Sequence, residues 1–221
     1  MRTKLNFTEI NTILLDMDGT LLDLHYDNYF WREHLPLRYS EINHISLDEA
    51  KDQLVPKFKA MEGTLEWYCL DYWSKELQLN IPELKSEITH LISIHDGVIE
   101  FLQAMRKLKK SIYLVTNAHK LALELKMNKT KLHHQFDKII SSHQFGVPKE
   151  NKDFWQLLIE KYKFDPQTTL FVDDSIPVLD SAKSFGIKHI VAISKPSSQD
   201  PPVKIKHYQT IEKFGEITPE E

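Results

Sequence analysis

Short apolar runs rich in Ile, Val and Leu recur along this chain, with segments of helical period between them. The clear runs are Thr12–Leu15, 111–115, 169–172 and 188–193, with a weaker one at Lys138–Ser141. They barely alternate apolar with polar, as expected of strands covered on both faces. Segments 97–109, 120–126, 152–163 and Ile176–Phe185 carry the spacing of helices that bury one side. Strand and helix in alternation predict parallel βαβ units, an α/β core with a Rossmann-like parallel sheet. In such sheets chemistry gathers beyond the carboxyl ends of the strands.

Residues 24–95 break that rhythm. No strand is legible there, only helix-like stretches at 28–34, Leu47–Met61, 65–77 and 83–94. Aromatic residues crowd the same region: Tyr26, Tyr29, Phe30, Trp31, Trp67, Tyr68, Tyr72 and Trp73. The expected division is a catalytic core of residues 1–23 and 96–221, with 24–95 inserted as an all-helical cap above the strand ends. Most of those rings serve the packing of a small helical unit. The polar, proline-rich stretch 194–203 reads as a loop.

Composition narrows the function classes. With 221 residues, 41% hydrophobic and 27% charged, the chain is long enough for a sizeable core and has a globular balance. Its net charge is −4 and its lysines and arginines are dispersed, which argues against nucleic acid polymers as partners. Lys109-Lys110 reads as a solvated helix end. The single cysteine, Cys69, leaves no intramolecular disulfide and lies among apolar neighbours as a packed thiol. No apolar stretch is long enough for a signal peptide or membrane span, so a cytoplasmic protein without a membrane partner is expected. Eleven histidines include His133-His134 and His143, but none has zinc-site spacing.

Candidate chemistry stands where the strands run out. Asp16-Met17-Asp18-Gly19-Thr20 follows the first apolar run, and its plain alternative is an Asp-Gly turn. Thr116-Asn117-Ala118 ends the second; a hydroxyl and an amide donate to an oxyanion without repelling it, or cap a helix. Lys149, in Gly146-Val147-Pro148-Lys149-Glu150, is either a counter-charge or a solvated loop lysine. Asp173-Asp174-Ser175 closes the fourth run, where acids also favour a helix N-terminus. Buried acids are costly unless compensated, and a divalent cation would compensate them. A hard cation such as Mg2+ takes carboxylate, carbonyl and water oxygens, which Asp16, the Asp18 carbonyl and Asp174 would offer.

In this order, these four motifs resemble the haloacid dehalogenase superfamily, and its phosphatase branch in particular. The match spans about residues 12–193. The stretches 14–24 and 27–31, with Thr116-Asn117-Ala118-His119, 145–150 and 171–175, further resemble the bacterial purine 5′-nucleotidases acting on GMP and IMP. The resemblance implies Asp16 as nucleophile, Asp18 as acid/base, Thr116 as phosphate binder and Lys149 as charge-balancing lysine. It implies a Mg2+ cofactor at Asp16, Asp18 and Asp174, with phosphate also held at Met17 and Asn117. Many relatives carry a further Asp or Asn four residues after the metal-binding acid. Here that place is Val178, so Asp173 either supplies the second acid or pairs with Lys149.

Asp18 favours phosphate esters over halides, because an alkoxide leaving group needs a proton and a halide does not. The expected activity is a phosphomonoesterase working through an aspartyl-phosphate on a small phosphorylated metabolite, most simply GMP or IMP. Tyr29, Trp31 and Arg38 are the cap residues expected to reach that substrate. A sugar-phosphate phosphatase, a phosphomutase and a catalytically silent binding protein are the alternatives. The sequence leaves the oligomeric state open.

Overall fold

Strand β1 (Thr12–Leu15) is buried along its whole length and lies inside the sheet. In the computed structural model, which describes residues 5–219, the chain then leaves the sheet. It runs through α1 (His25–Tyr29), α2 (Leu35–Asn43), α3 (Leu47–Met61), α4 (Leu70–Leu77) and α5 (Ile81–Glu87). It returns by α6 (Val98–Lys107) to β2 (Ser111–Thr116), followed by α7 (Lys120–Thr130) and β3 (Lys138–Ser141). The last elements are α8 (Lys152–Tyr162), β4 (Thr169–Asp173), α9 (Ile176–Phe185), β5 (His189–Ile193) and β6 (Gln209–Ile211). Strand order is β3-β2-β1-β4-β5-β6 with every pairing parallel. This is the Rossmann-like α/β core expected from the sequence. Among the described residues, no helix is long and apolar enough to cross a membrane.

The absence of alternation in the strands has a direct cause. Ile13, Leu15, Ile112, Leu114, Leu170 and Val172 face a layer built by Val98, Phe101 and Met105 of α6 with Leu123 and Met127 of α7. Their neighbours Leu14, Val115 and Phe171 face Phe154, Trp155 and Leu158 of α8 with Val178, Leu179 and Ala182 of α9. Each large side chain so buried contributes about 1.5–3 kcal/mol. Gly97 starts α6 at φ +81°, and a Cβ there would come within 2.7 Å of the Gly215 nitrogen, so only glycine fits.

Residues between β1 and β2 form helices and turns with no strand. Leu22 bridges Ile94, the His95 N–H donates to the Leu21 carbonyl, and the Asp23 N–H donates to the Ser93 carbonyl. These two crossings lie side by side. The loop after β5 stitches onto them: the Pro196 carbonyl accepts from Leu24 N–H and bonds the His95 ring, and Ser198 N–H donates to Asp23.

Four helix expectations need correction. The helix expected to stop at 34, before Pro36, continues through a π-helical turn at Phe30–His34 into α2. The wide turn lets a proline ring enter where a regular helix would clash. The stretch 65–77 is two elements, a 3-10 turn Glu66–Tyr68 and then α4, whose N-cap is the Cys69 sulfur accepting from Tyr72 N–H. The last one splits into α5 and a second 3-10 turn, Thr89–Leu91, while α7 runs four residues beyond its expected end at 126. Strand β6 was not anticipated, since two of its three residues are polar.

Trp155 is fully enclosed, and its indole N–H is shared between the Lys149 carbonyl and Ser181 Oγ, both at 3.0 Å. Trp155→Phe keeps most of the ring volume and strands both acceptors. Urea unfolding is expected to show a loss of about 1–3 kcal/mol.

Candidate active site

The β1 ladder runs one residue past the strand, because Asp16 N–H donates to the Val172 carbonyl at 3.0 Å. Asp16 is thereby set against the end of β4, where Asp173 and Asp174 stand. The chain then turns sharply. The Met17 carbonyl accepts from Leu21 and Leu22 N–H, and Gly19 N–H donates to the Leu22 carbonyl at 2.7 Å. Gly19 adopts φ +82°, and a Cβ on it would fall 2.5 Å from Asp174 Oδ2. Glycine is required there both by conformation and by the approach of that carboxylate.

Carboxylate oxygens of Asp16, Asp173 and Asp174 lie within 4.8 Å of one another. Lys149 holds two of the three. Its ammonium bonds Asp16 Oδ1, reaches Asp173 Oδ2 at 2.7 Å, and donates to the Val115 carbonyl at 3.1 Å. It is 2% exposed, which disposes of the solvated-loop reading. Burial pushes the Asp16 carboxyl up to about 7 despite Lys149, with Asp173 adding to the rise. Burial raises Asp173 too, and raises Asp174 well above the usual range, with Asp173 and Asp16 contributing. Burial opposes the charge of Lys149, but the two acids more than offset it and hold the ammonium above its ordinary value. One ammonium cannot neutralise three clustered acids, two of them buried and the third half-buried.

The Lys149 backbone is equally fixed. Its N–H donates to Asn117 Oδ1 at 2.9 Å, and the Asn117 amide donates to Glu150, which also accepts from the Tyr68 hydroxyl at 2.6 Å. Both ends of the Asn117 side chain are thus used inside the protein. The buried Thr116 hydroxyl accepts from Ala118 N–H, leaving its own proton free; α7 begins only at Lys120, so Thr116 caps no helix. Asp173 accepts from Ser175 N–H with the oxygen that Lys149 does not hold. Of the two roles left open for Asp173, the structure displays the pairing with Lys149.

A second set of charges begins at Asp18. Lys126 of α7 lies 2.6 Å from Asp18 Oδ1 and 2.6 Å from Asp27 Oδ2 of α1, and Lys85 of α5 donates to Asp27 Oδ1 at 2.9 Å. Burial is the largest influence on each. It lifts Asp18 to about 6 and lowers Lys85, whereas Lys126 and Lys85 overcome it at Asp27 and hold that carboxyl at about 2. These groups line one side of a cavity of about 630 Å³ between the inserted helices and α7. Trp31, Phe58 and Trp67 form its aromatic wall.

Of the cap residues expected at the site, Trp31 lines this cavity. Tyr29 is exposed and stacks near His34, and Arg38 pairs with Glu41 and Glu87; neither lines the cavity. Sequence reading missed Lys126, Lys85, Tyr68 and Glu150. They belong to ordinary helical or loop patterns, and only the fold brings them together.

The family model of the haloacid dehalogenase-like hydrolases matches residues 10–186. The chain is 34% identical over 219 residues to the GMP/IMP nucleotidase YrfG of Escherichia coli (strain K12), with 99% of each chain covered. The protein of that name from Shigella flexneri matches to the same extent. Among solved structures, the HAD phosphatase from Thermococcus onnurineus superposes with a TM-score of 0.78 at 23% identity, covering 94% of this chain and 95% of that one. The L-2-haloacid dehalogenase from Xanthobacter autotrophicus gives 0.54 at 16%, covering 86% and 80%. At those identities the structural likenesses speak for the fold. The chain belongs to the haloacid dehalogenase-like hydrolases, and it is a hydrolase.

Asp27 offers a measurable linkage. Its carboxyl sits at about 2 in the fold, against the ordinary value of about 3.9 in the unfolded chain. A depressed carboxyl stabilises the fold above the unfolded value, and the benefit disappears as pH falls through the folded one. The stability gap between wild type and Asp27→Asn, from urea unfolding, is expected to be full above about pH 4, on the order of 2 kcal/mol, and to close toward pH 2.

Proposed function

We propose that the chain is a Mg2+-dependent phosphomonoesterase that works through an aspartyl-phosphate and takes purine nucleoside 5′-monophosphates, GMP or IMP, as substrates. The observation that carries the reading is the meeting of Asp16, Asp18, Lys149 and Asp174 where β1 and β4 end. Resemblance to the two nucleotidases supports the choice of substrate. Residues 24–95 are its substrate-facing cap.

The donor set fits Mg2+, because three clustered carboxylates, only two of them bonded by the one ammonium, need a compact divalent charge and offer only hard oxygens. Asp16, the Asp18 carbonyl and Asp174 would hold the ion, which when bound draws charge from the phosphoryl oxygens.

Asp16 attacks phosphorus in line, and the ester P–O bond breaks with its electron pair going to the leaving oxygen. Asp18, whose raised pKa suits it to carry a proton near neutrality, delivers that proton to the departing hydroxyl. Asp18 then takes a proton from a water whose oxygen attacks phosphorus, and Asp16 is released with inorganic phosphate. The Thr116 hydroxyl, the Lys149 ammonium and the main-chain N–H groups of Met17 and Asn117 hold the other oxygens. Fixed donors of this kind account for most of the rate in phosphoryl transfer. The nucleoside extends past Asp18 into the cavity, where Trp31, Phe58 and Trp67 offer ring faces to a base; one stacked base is worth about 1–3 kcal/mol.

Asp16→Asn is expected to reduce phosphate release from GMP with Mg2+ present to background, and EDTA should do the same to wild type until Mg2+ is restored. GMP and IMP should outpace a hexose phosphate in kcat/KM; equal rates would sink the nucleotide assignment and leave the phosphatase one. Gly19→Ala pushes a methyl into Asp174, so half-maximal activity should need at least about tenfold more Mg2+, roughly the effect of disturbing a metal site's supporting groups.

A further inference from the structure

Phosphoryl transfer as described makes no use of Lys126, Asp27 or Lys85, although each is buried and charged. Lys126 comes from α7 in the core, Asp27 from α1 and Lys85 from α5 in the insertion. Charge alternates along the row Asp18, Lys126, Asp27, Lys85, from the phosphoryl site into the interior of the inserted helices. Both lysine side chains are 2% exposed, and Lys85 lies 4.2 Å over the Phe30 ring. Burying ammonium groups costs several kcal/mol, and a methionine would fill the same space without that cost. Packing therefore gives no reason for a lysine at 126. Its contacts do. Asp18 Oδ1 is buried and accepts no hydrogen bond of regular geometry among the described residues, and the Lys126 ammonium pairs with it at 2.6 Å.

We propose that Lys126 is a positioning residue for Asp18, held in place across the core–insertion boundary by Asp27. The ammonium anchors one oxygen of the Asp18 carboxyl group and so fixes the orientation of the other toward the leaving oxygen. Lys85 braces Asp27 from behind. The inserted helices thereby take part in the proton delivery without touching the reacting atoms. This rests on the reading of Asp18 as the acid, in the step where the P–O bond breaks and the proton passes from Asp18 to the departing oxygen.

Phenyl phosphate and 4-nitrophenyl phosphate separate positioning from support of the fold. They match closely in shape, but 4-nitrophenolate leaves without a proton and phenolate does not. The first turnover of phenol release, followed with substrate in excess and Mg2+ bound, reports the transfer to Asp16 alone, and its burst amplitude counts competent enzyme even where a variant folds in part. Lys126→Met is expected to slow phenyl phosphate at least about tenfold more than 4-nitrophenyl phosphate, within the range that general acid catalysis supplies. Asp27→Asn should shift the ratio in the same direction by less, and the double variant should be no worse than Lys126→Met alone. A lysine that only shores up the fold would lower the amplitudes together and leave the ratio unchanged, which overturns the proposal. An additive double variant, or an unchanged ratio in Asp27→Asn, overturns the link to the insertion. Asp18→Asn is the control. If it slows both esters equally, the acid assignment falls; if it splits them while Lys126→Met does not, the positioning role alone falls.

Discussion

Three carboxylates crowd together at the ends of β1 and β4 around one ammonium that bonds two of them, and much of the surrounding structure exists to keep them there. Their mutual repulsion and their burial both work against ionisation, so the cluster is held by geometry that cannot relax. Lys149 is fixed at every polar atom: N–H to Asn117, carbonyl to the Trp155 indole, and ammonium to Asp16, Asp173 and the Val115 carbonyl. Gly19 is the corresponding constraint on the other side, since any side chain there would occupy the place of Asp174. A site with surplus negative charge and no freedom to disperse it is suited to an incoming cation, and disfavours a lone phosphate that arrives without one.

The parallel sheet was legible because each strand is enclosed on both faces, and that leaves unbroken apolar runs in the sequence. Acid pairs at 16 and 18 and at 173 and 174 were legible for a related reason. A carboxylate directly after such a run must sit at a strand end, and parallel strands place all their ends on one rim. Less visible were features with no local signature. The π-helical turn that carries the chain through Pro36 depends on tertiary packing rather than propensity. Strand β6 is short and half polar, and it joins the sheet because β5 offers it an open edge.

The same distinction separates the parts of the candidate site. Asp16, Thr116, Lys149 and Asp174 belong to contiguous motifs whose chemistry is unusual for their position. Asp27 and Lys126 are 99 residues apart in the chain. Each is an ordinary charged residue on a helix, and pairing information of that kind is absent from any local window. The aromatic cap residues were ambiguous for another reason: rings that build a small core and rings that face a ligand are the same residues. Trp31 does both, packing on Phe58 and Trp73 while lining the cavity.

Apolar side chains of the helices between β1 and β2 share one buried cluster with the core, and polar contacts join them around the site. Tyr68 reaches Glu150, Asp27 reaches Lys126, and His119 lies 3.4 Å from Asp71. Apolar burial gains free energy with area and little with direction. Hydrogen bonds and ion pairs are specific in geometry, and their net contribution is small because water replaces them when they open. A boundary that combines the two is held by the apolar cluster and oriented by the polar contacts. It also ties that orientation to the acids: Tyr68 acts on Glu150 and, through Asn117, on the Lys149 backbone, while Asp27 acts through Lys126 on Asp18. Asp16, through Lys149, and Asp18, through Lys126, are thereby both coupled to how the helices between β1 and β2 sit.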